Sequence, residues 1–482
     1  MKQQPQTKLL TMHRTTLFFF LVFAQFVLGQ TLSLEECIAL ALEKNISIKQ
    51  ASLELENAKV DQSDARSAFL PNVNVQSSHS WNIGLNQNIT TGILENLTTQ
   101  FTSIGGSVGM SLFNGRKNFI QLYRSNLNLL AKEYQLNDMA DDVRLLVANA
   151  FLQIMFNDEI LKVSQTQLEL SQSELERTQN LISSGVLPPG DVYEIQATVA
   201  AQEQALIQAE NNLRLSKISL AQLLLIQDYD NFDIRLEDLE VPFSEIMTKS
   251  PKEIYEKALS FRNDIQIANT NVELATTDIK LAKADQLPSL SGFYSYSTRI
   301  SYSDRRLPSG TFQTQPIGFL ESTGERVVTQ IPETRIVGPE SFFNQWSLYD
   351  GHNFGLQLTV PIFNRNAVRN RITRSQINLE RFKNQLEQEK LNLENTINQA
   401  YTNTKGAFKV YEAAQTTRKA RAQSYTNASN RLEAGAINSF EFIQTKQRYE
   451  QSVSEAIRAK FDYIFKLKVL EFYFGLPVRL RP

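Results

Sequence analysis

Hydrophobic residues alternate with polar ones in four segments of about ten residues each. The alternating series run from Val73 to Ile83, Ile104 to Leu112, Leu290 to Ile300 and Phe354 to Ile362, and the positions between them are mostly Ser, Gly, Gln, Asn and Thr. A period of two is typical of β-strands, whose successive side chains point to opposite faces. About ten residues is also the length of a tilted strand that crosses a bilayer. The pattern predicts four strands with one apolar and one polar face, although a half-exposed sheet of a soluble protein would show the same alternation.

Two much longer segments, residues 115–184 and 365–434, have helical periodicity and contain no proline. Hydrophobic residues recur every seven positions in both: Leu122, Leu129, Leu136, Val143 and Ala150 in the first, and Ile372, Leu379, Leu386, Leu393 and Ala400 in the second. A sustained seven-residue repeat is typical of coiled-coil packing. Each helix would be about 100 Å long at 1.5 Å per residue.

A shorter helical segment precedes each pair of strands. Residues 33–69 contain no internal proline or glycine, and Leu70-Pro71 ends this predicted helix because proline lacks a backbone donor and restricts the residue before it. Pro288 has the same place before the second pair of strands. A similar length of helix follows each long helix, so two short helices placed end to end would match one long helix.

The two halves of the chain repeat one unit. A shift of 217 positions aligns Leu70-Pro71 with Leu287-Pro288, and a shift of 250 positions aligns Phe113-Asn114 with Phe363-Asn364. Many matches at a constant offset indicate an internal duplication. The difference of 33 positions between the two offsets predicts a longer loop, rich in Pro, Gly and Thr, in the second hairpin.

The duplication predicts the domain organisation. The first repeat, residues 30–250, would contain a helix, a β-hairpin (72–113), a long helix, a tip turn (185–191), a helix and an equatorial segment (228–250). The second repeat, residues 251–482, would contain a helix, a β-hairpin (289–363) with a long extracellular loop (301–353), a long helix, a tip turn (435–441) and a helix.

Residues 1–29 predict a signal peptide. Lys8 and Arg14 precede an apolar run of about a dozen residues, which is shorter than the roughly 20 residues of a membrane-spanning helix. We therefore expect export and cleavage near Gln30, with Met1 or Met12 as the start. No later run is long and apolar enough to cross a bilayer as a helix, so we expect any membrane-inserted part to be a β-barrel.

Composition argues against several classes of protein. The net charge of −2 gives no general attraction to nucleic acid. Cys37 is the single cysteine, and the three histidines have no metal-ligand spacing. The chain also lacks the Gly-Lys-Ser/Thr loop that binds nucleotide phosphates. We predict no enzyme activity and no cofactor, so the energy for any transport would come from another protein.

Two short turns carry a resemblance to a known family. Gly185-Val186-Leu187-Pro188-Pro189-Gly190-Asp191 follows the first long helix, and Gly435-Ala436-Ile437-Asn438-Ser439-Phe440-Glu441 follows the second. Leu-Pro before each hairpin, Phe-Asn after it and Gly-Leu-Pro at 475–477 recur in the same order. With these features, nearly the whole mature chain resembles TolC-like outer-membrane efflux proteins.

The resemblance implies a mainly α fold with a β-barrel portion. A long α-helical coiled-coil barrel would continue into a 12-stranded transmembrane β-barrel shared by a homotrimer, with four strands per chain. Four strands cannot close a barrel, and eight would leave an interior filled by side chains, so the strand count agrees with this assembly.

The resemblance also implies a function. The chain would be a passive exit duct for efflux or type I secretion in the bacterial outer membrane, and it would extend into the periplasm. Its partners would be outer-membrane lipid, a periplasmic adaptor (membrane fusion protein) and an inner-membrane transporter of the RND, ABC or MFS type.

The tips of the long helices would form the periplasmic entrance of this duct. The residues expected to dock the adaptor are Gly185, Val186, Leu187, Gly435, Ala436 and Ile437. The residues expected to line and gate the entrance are Asp191, Glu194, Glu441 and Gln444. Gln444 replaces the second acid of the family's selectivity ring, which argues against strong cation selectivity. An acid at the start of a helix is also explained by the helix dipole alone, so Asp191 and Glu441 have an alternative structural interpretation.

Two other functions stay open on the sequence alone. A porin-like uptake channel would not need helices of about 100 Å. An exported coiled-coil structural protein would not need four alternating strands at matched positions.

Overall fold

The computed structural model describes residues 31–87, 93–236, 241 and 244–477, so the predicted signal peptide lies outside the described residues. Contacts divide the chain into two units. The helical unit comprises Met1–Lys59, Leu127–Glu273 and Leu379–Pro482, and the sheet unit comprises Val60–Asn126 and Leu274–Asn378.

Helices make up most of the described chain. In chain order they are α1 (Leu34–Lys44), α2 (Ile46–Ser67), α3 (Lys117–Ser183), α4 (Asp191–Leu223), α5 (Pro251–Phe261), α6 (Asn263–Ala284), α7 (Phe342–Leu348), α8 (Ala367–Glu433) and α9 (Ser439–Tyr473). The strands are β1 (Asn72–Gln87), β2 (Leu94–Asn114), β3 (Ser289–Ser301), β4 (Arg305–Phe319), β5 (Arg326–Val337) and β6 (Gly351–Thr359). A 3-10 turn, Glu245–Thr248, lies within the predicted equatorial segment.

The element bounds repeat along the chain. Both ends of α8 lie 250 positions after the ends of α3, and the ends of α5 and α6 lie 217 positions after those of α1 and α2. Ser33 before α1 and Ser250 before α5 even form the same capping box, each with a glutamate three residues later. These equal offsets support the proposed duplication.

The prediction of one helix over residues 33–69 was wrong, because the helix is interrupted at Asn45. The backbone of Asn45 is extended, with φ −56° and ψ 132°, and its side chain accepts a hydrogen bond of 2.8 Å from the amide of Ser47. A side chain that satisfies the first amides of the next helix makes such a break inexpensive. Arg262 interrupts the second copy in the same way, with φ −61° and ψ 128°.

Both long helices are 67 residues long, close to the predicted bounds. No member of the two predicted seven-residue series is exposed, and Val143 and Leu393 are buried. The described residues of the helical unit also form three apolar clusters. One of them surrounds Cys37, which is fully buried, and burial raises the pKa of its thiol to about 12.

The sheet unit contains the four predicted strands in one antiparallel sheet of order β1-β2-β3-β6. Three of the strands are longer than predicted, since β1, β2 and β3 have 16, 21 and 13 residues. Apolar side chains at alternate positions are exposed in a single chain: Val75 is 79% exposed, Ile83 83% and Phe354 77%. Among the described residues, no strand pairs with the outer edge of β1 or of β6.

The predicted loop over residues 301–353 contains regular structure, which the sequence did not indicate. Strands β4 and β5 form a separate two-stranded antiparallel sheet, and α7 follows them. Pro308 and Pro316 made this segment look like a loop, but both lie where the strand register shifts. Proline is tolerated at such irregularities because they need no ladder hydrogen bond from its nitrogen.

Candidate functional site

The two predicted tip turns have the same backbone geometry. Gly185 and Gly435 follow α3 and α8 with φ of +75° and +69°. The amide of the next residue reaches back to the helix, from Val186 to the Leu181 carbonyl at 2.9 Å and from Ala436 to the Arg431 carbonyl at 2.8 Å. This pattern is the Schellman motif, in which glycine takes the left-handed conformation that other residues disfavour. Each long helix therefore ends sharply at its glycine.

The helices that leave the tips start differently. α4 begins at Asp191, after Gly190, whose lack of a side chain leaves the helix without a side-chain cap. Asn438 caps α9, because its Oδ1 accepts a hydrogen bond of 2.9 Å from the amide of Glu441. Asp191, Glu194 and Glu441 all lie in first turns, where their charge is favourable to the helix dipole.

The structure brings the two tips of one chain together. The Ser439 hydroxyl donates a hydrogen bond of 3.1 Å to Oδ2 of Asp191. A buried apolar cluster joins the same elements and consists of Ile195, Ala428, Ile437, Phe442 and Ile443. Asp191 is half-buried at this contact, whereas Glu194, Glu441 and Gln444 are exposed. Three of the four predicted entrance residues are therefore free to face solvent or a partner.

The predicted docking residues fall into two groups. Val186 is 66% exposed, and Gly185, Gly435 and Ala436 are exposed as well. Leu187 is half-buried, and Ile437 is only 9% exposed because it packs in the tip cluster. Ile437 thus holds the two tips together, and we do not expect it to contact a partner directly.

Two ion pairs at the tips are exposed or partly exposed. Glu441 lies 3.6 Å from Arg431, and Glu433 lies 3.5 Å from Arg177. Exposed pairs of this kind contribute little to stability, about 0–1 kcal/mol, because water screens them. They can rearrange at little cost.

A buried charged pair in α9 was not predicted. Lys446 and Glu450 are 4% and 8% exposed, and their Nζ and Oε1 atoms are 3.9 Å apart. Nζ donates to the Ser171 hydroxyl at 2.8 Å, and the Gln202 side chain donates to Oε2 of Glu450 at 3.0 Å. The pair therefore links α9 to α3 and to α4.

Burial favours the neutral forms of both side chains in this pair. It lowers the pKa of Lys446 and raises the pKa of Glu450. Oε1 of Glu450 has no hydrogen-bond partner in the described structure, and a cavity of about 190 Å³ borders the pair. An i, i+4 Lys–Glu pair is common on solvated helix faces, so the sequence carried no signal that this one is buried.

Comparison with known proteins identifies the family. The model of the outer membrane efflux protein family matches residues 37–224 and 254–475, which is most of the chain. The chain belongs to this family. Its members are transport channels of the outer membrane and not enzymes, so membership confirms the predicted location, the predicted efflux role and the prediction of no enzyme activity.

Solved structures of outer-membrane channels share the fold of this efflux protein. VceC of Vibrio cholerae has a TM-score of 0.71 at 14% identity, over 92% of this chain and 97% of VceC. CmeC of Campylobacter jejuni has a TM-score of 0.69 at 16% identity, over 92% and 85%. MtrE of Neisseria gonorrhoeae, in its open state, has a TM-score of 0.67 at 16% identity, over 93% and 90%. No curated protein matches this efflux protein significantly by sequence.

Two features are not found in the described part of this efflux protein. Within residues 31–87, 93–236, 241 and 244–477, no three or more His, Cys, Asp or Glu side chains are grouped so that they could hold a metal ion. No helix in these ranges is both long and apolar enough to span a membrane.

Proposed function

We propose that this outer membrane efflux protein works as a passive homotrimeric exit duct, for efflux or type I secretion. Three copies of the four-stranded sheet would close one 12-stranded barrel. The open edges of β1 and β6 support this assembly, because an unpaired edge leaves backbone donors and acceptors unsatisfied in a membrane. The exposed apolar positions of the sheet, such as Ile83 and Phe354, would then face lipid.

The helix tips would be the periplasmic entrance and the docking surface for an adaptor. Glu194, Glu441 and Gln444 are exposed, and carboxylates repeated in three copies would raise the local concentration of cations. Val186 and Ala436 would contact the adaptor, since both are exposed beside the turn glycines. An inner-membrane transporter of the RND, ABC or MFS type would supply the energy.

Charge removal at the entrance tests the gating role. Asp191→Asn with Glu441→Gln removes two charges per chain, while the amide oxygen introduced at position 191 can still accept the hydrogen bond from Ser439. We expect lower cation preference and altered single-channel conductance of the purified trimer in planar bilayers. Unchanged conductance and selectivity would mean that the two acids have a structural role at the tips and do not gate the entrance.

Cysteine cross-linking tests docking. The native Cys37 is fully buried, so a new surface cysteine would be the reactive thiol. We expect Val186→Cys and Ala436→Cys to cross-link to an adaptor, and Glu389→Cys, exposed on α8 far from the tip, to serve as the negative control. Cross-linking at Glu389 alone would place the adaptor elsewhere.

Deletion separates efflux from the two alternative functions. Loss of this chain should lower export of a drug or peptide. A defect in nutrient uptake with normal export would instead favour a porin-like channel, and a purely mechanical defect of the envelope would favour a structural protein.

A further inference from the structure

Positive charge is concentrated where the long helices leave the strands of the sheet unit. Residues 115–126 and 364–378, which we call the basic segments, contain seven Lys or Arg residues and no Asp or Glu. The seven are Arg116, Lys117, Arg124, Arg365, Arg369, Arg371 and Arg374.

The chain itself neutralises fewer than half of these cations. Lys117 and Arg371 both pair with Asp285, and Arg124 pairs with Asp278 at 2.6 Å. The other four, Arg116, Arg365, Arg369 and Arg374, are exposed and form no ion pair with any described residue.

Local folding does not explain arginine at these positions. Cations near the start of a helix oppose its dipole, and five other helices, α1, α4, α5, α6 and α9, have acids in the first turn. α3 and α8 have none. Arg116 and Arg365 also have φ of 66° and 53°, a conformation that costs energy for a residue with a Cβ. An anion outside the chain would compensate the unfavourable charge at these helix starts.

Exposed apolar residues lie next to the basic segments. Leu112 and Phe113 precede Arg116 and are 50% and 44% exposed. Ile362 and Phe363 precede Arg365 and are 89% and 79% exposed. An exposed apolar stretch followed within a few residues by arginines is the pattern expected where a protein passes from the hydrocarbon core of a bilayer to its headgroups.

Building on the proposed function, in which the sheet forms part of a barrel in the outer membrane, we propose that the basic segments bind the phosphate groups of phospholipids in the periplasmic leaflet and so fix the depth of the sheet in the bilayer. The planar guanidinium group matches phosphate with two parallel hydrogen bonds, and four unpaired arginines per chain provide several such contacts. A soluble acidic protein would also be attracted to these charges. Lipid is the better match because it covers the adjoining apolar residues as well.

Lipid selectivity tests the proposal. The full mature protein is reconstituted into phosphatidylcholine vesicles that contain roughly 20% phosphatidylglycerol, and spin-labelled forms of the two lipids report which one associates with the protein. The test variant is Arg365→Gln with Arg369→Gln and Arg374→Gln. The control variant, Arg418→Gln with Lys419→Gln and Arg421→Gln, removes three exposed cations from a distant part of α8.

We expect the native protein and the control variant to enrich phosphatidylglycerol about threefold or more over phosphatidylcholine, and the test variant to lose most of this preference. A variant with lysine at the same three positions should retain part of the preference for phosphatidylglycerol, which would show that the loss in the test variant comes from lost charge and not from misfolding. High salt should reduce the preference of the native protein for phosphatidylglycerol.

Two results would overturn the proposal. One is equal association of both lipids with the native protein, and the other is a preference that the test variant keeps in full. If an acidic protein cross-linked to Arg369→Cys while the lipids showed no preference, the basic segments would be a protein-docking surface instead.

Discussion

Replacing Lys446 by methionine should loosen the helix tips, because it leaves Glu450 as an unpaired buried carboxylate. Removing one member of a buried ion pair costs about 3–5 kcal/mol. The 3.9 Å separation in this pair is too long for a hydrogen bond, so we expect the lower limit, about 3 kcal/mol. Backbone amides of residues 442–455 should then exchange with deuterium roughly 100-fold faster than in the native protein.

A double variant provides the matched control. Lys446→Met with Glu450→Gln removes both charges and keeps an amide oxygen for the hydrogen bond from Gln202. In this double variant the amides of residues 442–455 should recover most of their protection against exchange, since a neutral replacement of a buried pair is often tolerated.

Acid should also rescue the single variant. Burial raises the pKa of Glu450 above its usual 4.5, so the cost of its charge is present at high pH and is relieved as the pH falls through the raised pKa. The loss of local stability in Lys446→Met, relative to the native protein, should therefore be smaller at pH 5 than at pH 8. Native exchange rates in the single variant, or a double variant that exchanges faster than the single one, would refute the reasoning.

Three further predictions concern the helical unit. Gly435→Ala should destabilise the tip by about 1 kcal/mol because φ is +69° there, whereas Gly190→Ala, at φ −69°, should be nearly neutral in the same melting experiment. Asn438→Ala should cost about 1 kcal/mol and increase exchange in the first turn of α9, whereas Asn438→Asp should keep the cap; equal exchange in both variants would exclude a capping role. Burial raises the pKa of Asp138 from 3.8 to about 6, so the ionised form is disfavoured in the fold. This rise corresponds to about 3 kcal/mol, but the side chain is partly exposed and solvent screens its charge, so we expect about 1 kcal/mol. Relative to Asp138→Asn, the native protein should lose this stability as the pH rises from about 4 to 6 and change little above that, which melting temperatures across this range would check.

Periodic features were predictable because they depend only on neighbouring positions. The alternation around Val75 and Phe354 and the seven-residue series through Val143 and Leu393 correspond to the observed strands and long helices. The glycine turns were predictable for a similar reason, since a long helix that stops before Gly185 needs a residue that accepts positive φ.

Features that depend on distant contacts were not predictable. The break at Asn45 is an exception, because Asn is a preferred cap residue and its contact with Ser47 is local, but a single Asn within a long helical pattern is too weak a signal to place a break. Burial of Lys446 depends on Ser171 of α3, 275 positions away. Ile437 looked like an exposed tip residue because the sequence does not reveal that the second tip packs against α4.

The turns that lead from each pair of strands into the long helix have similar backbones but different residues. Gly115 has φ +65°, and a Cβ there would lie 2.7 Å from the Ala284 carbonyl oxygen and 2.8 Å from Cβ of Leu287. Its counterpart 250 positions later is Arg365, which takes φ +53° with a full side chain. The first site excludes any side chain and the second has a long one, so the ancestral copies have ceased to be interchangeable parts. A chimera that carried residues 365–378 at positions 115–128 would place a Cβ 2.7 Å from the Ala284 carbonyl oxygen, so the second segment cannot simply replace the first.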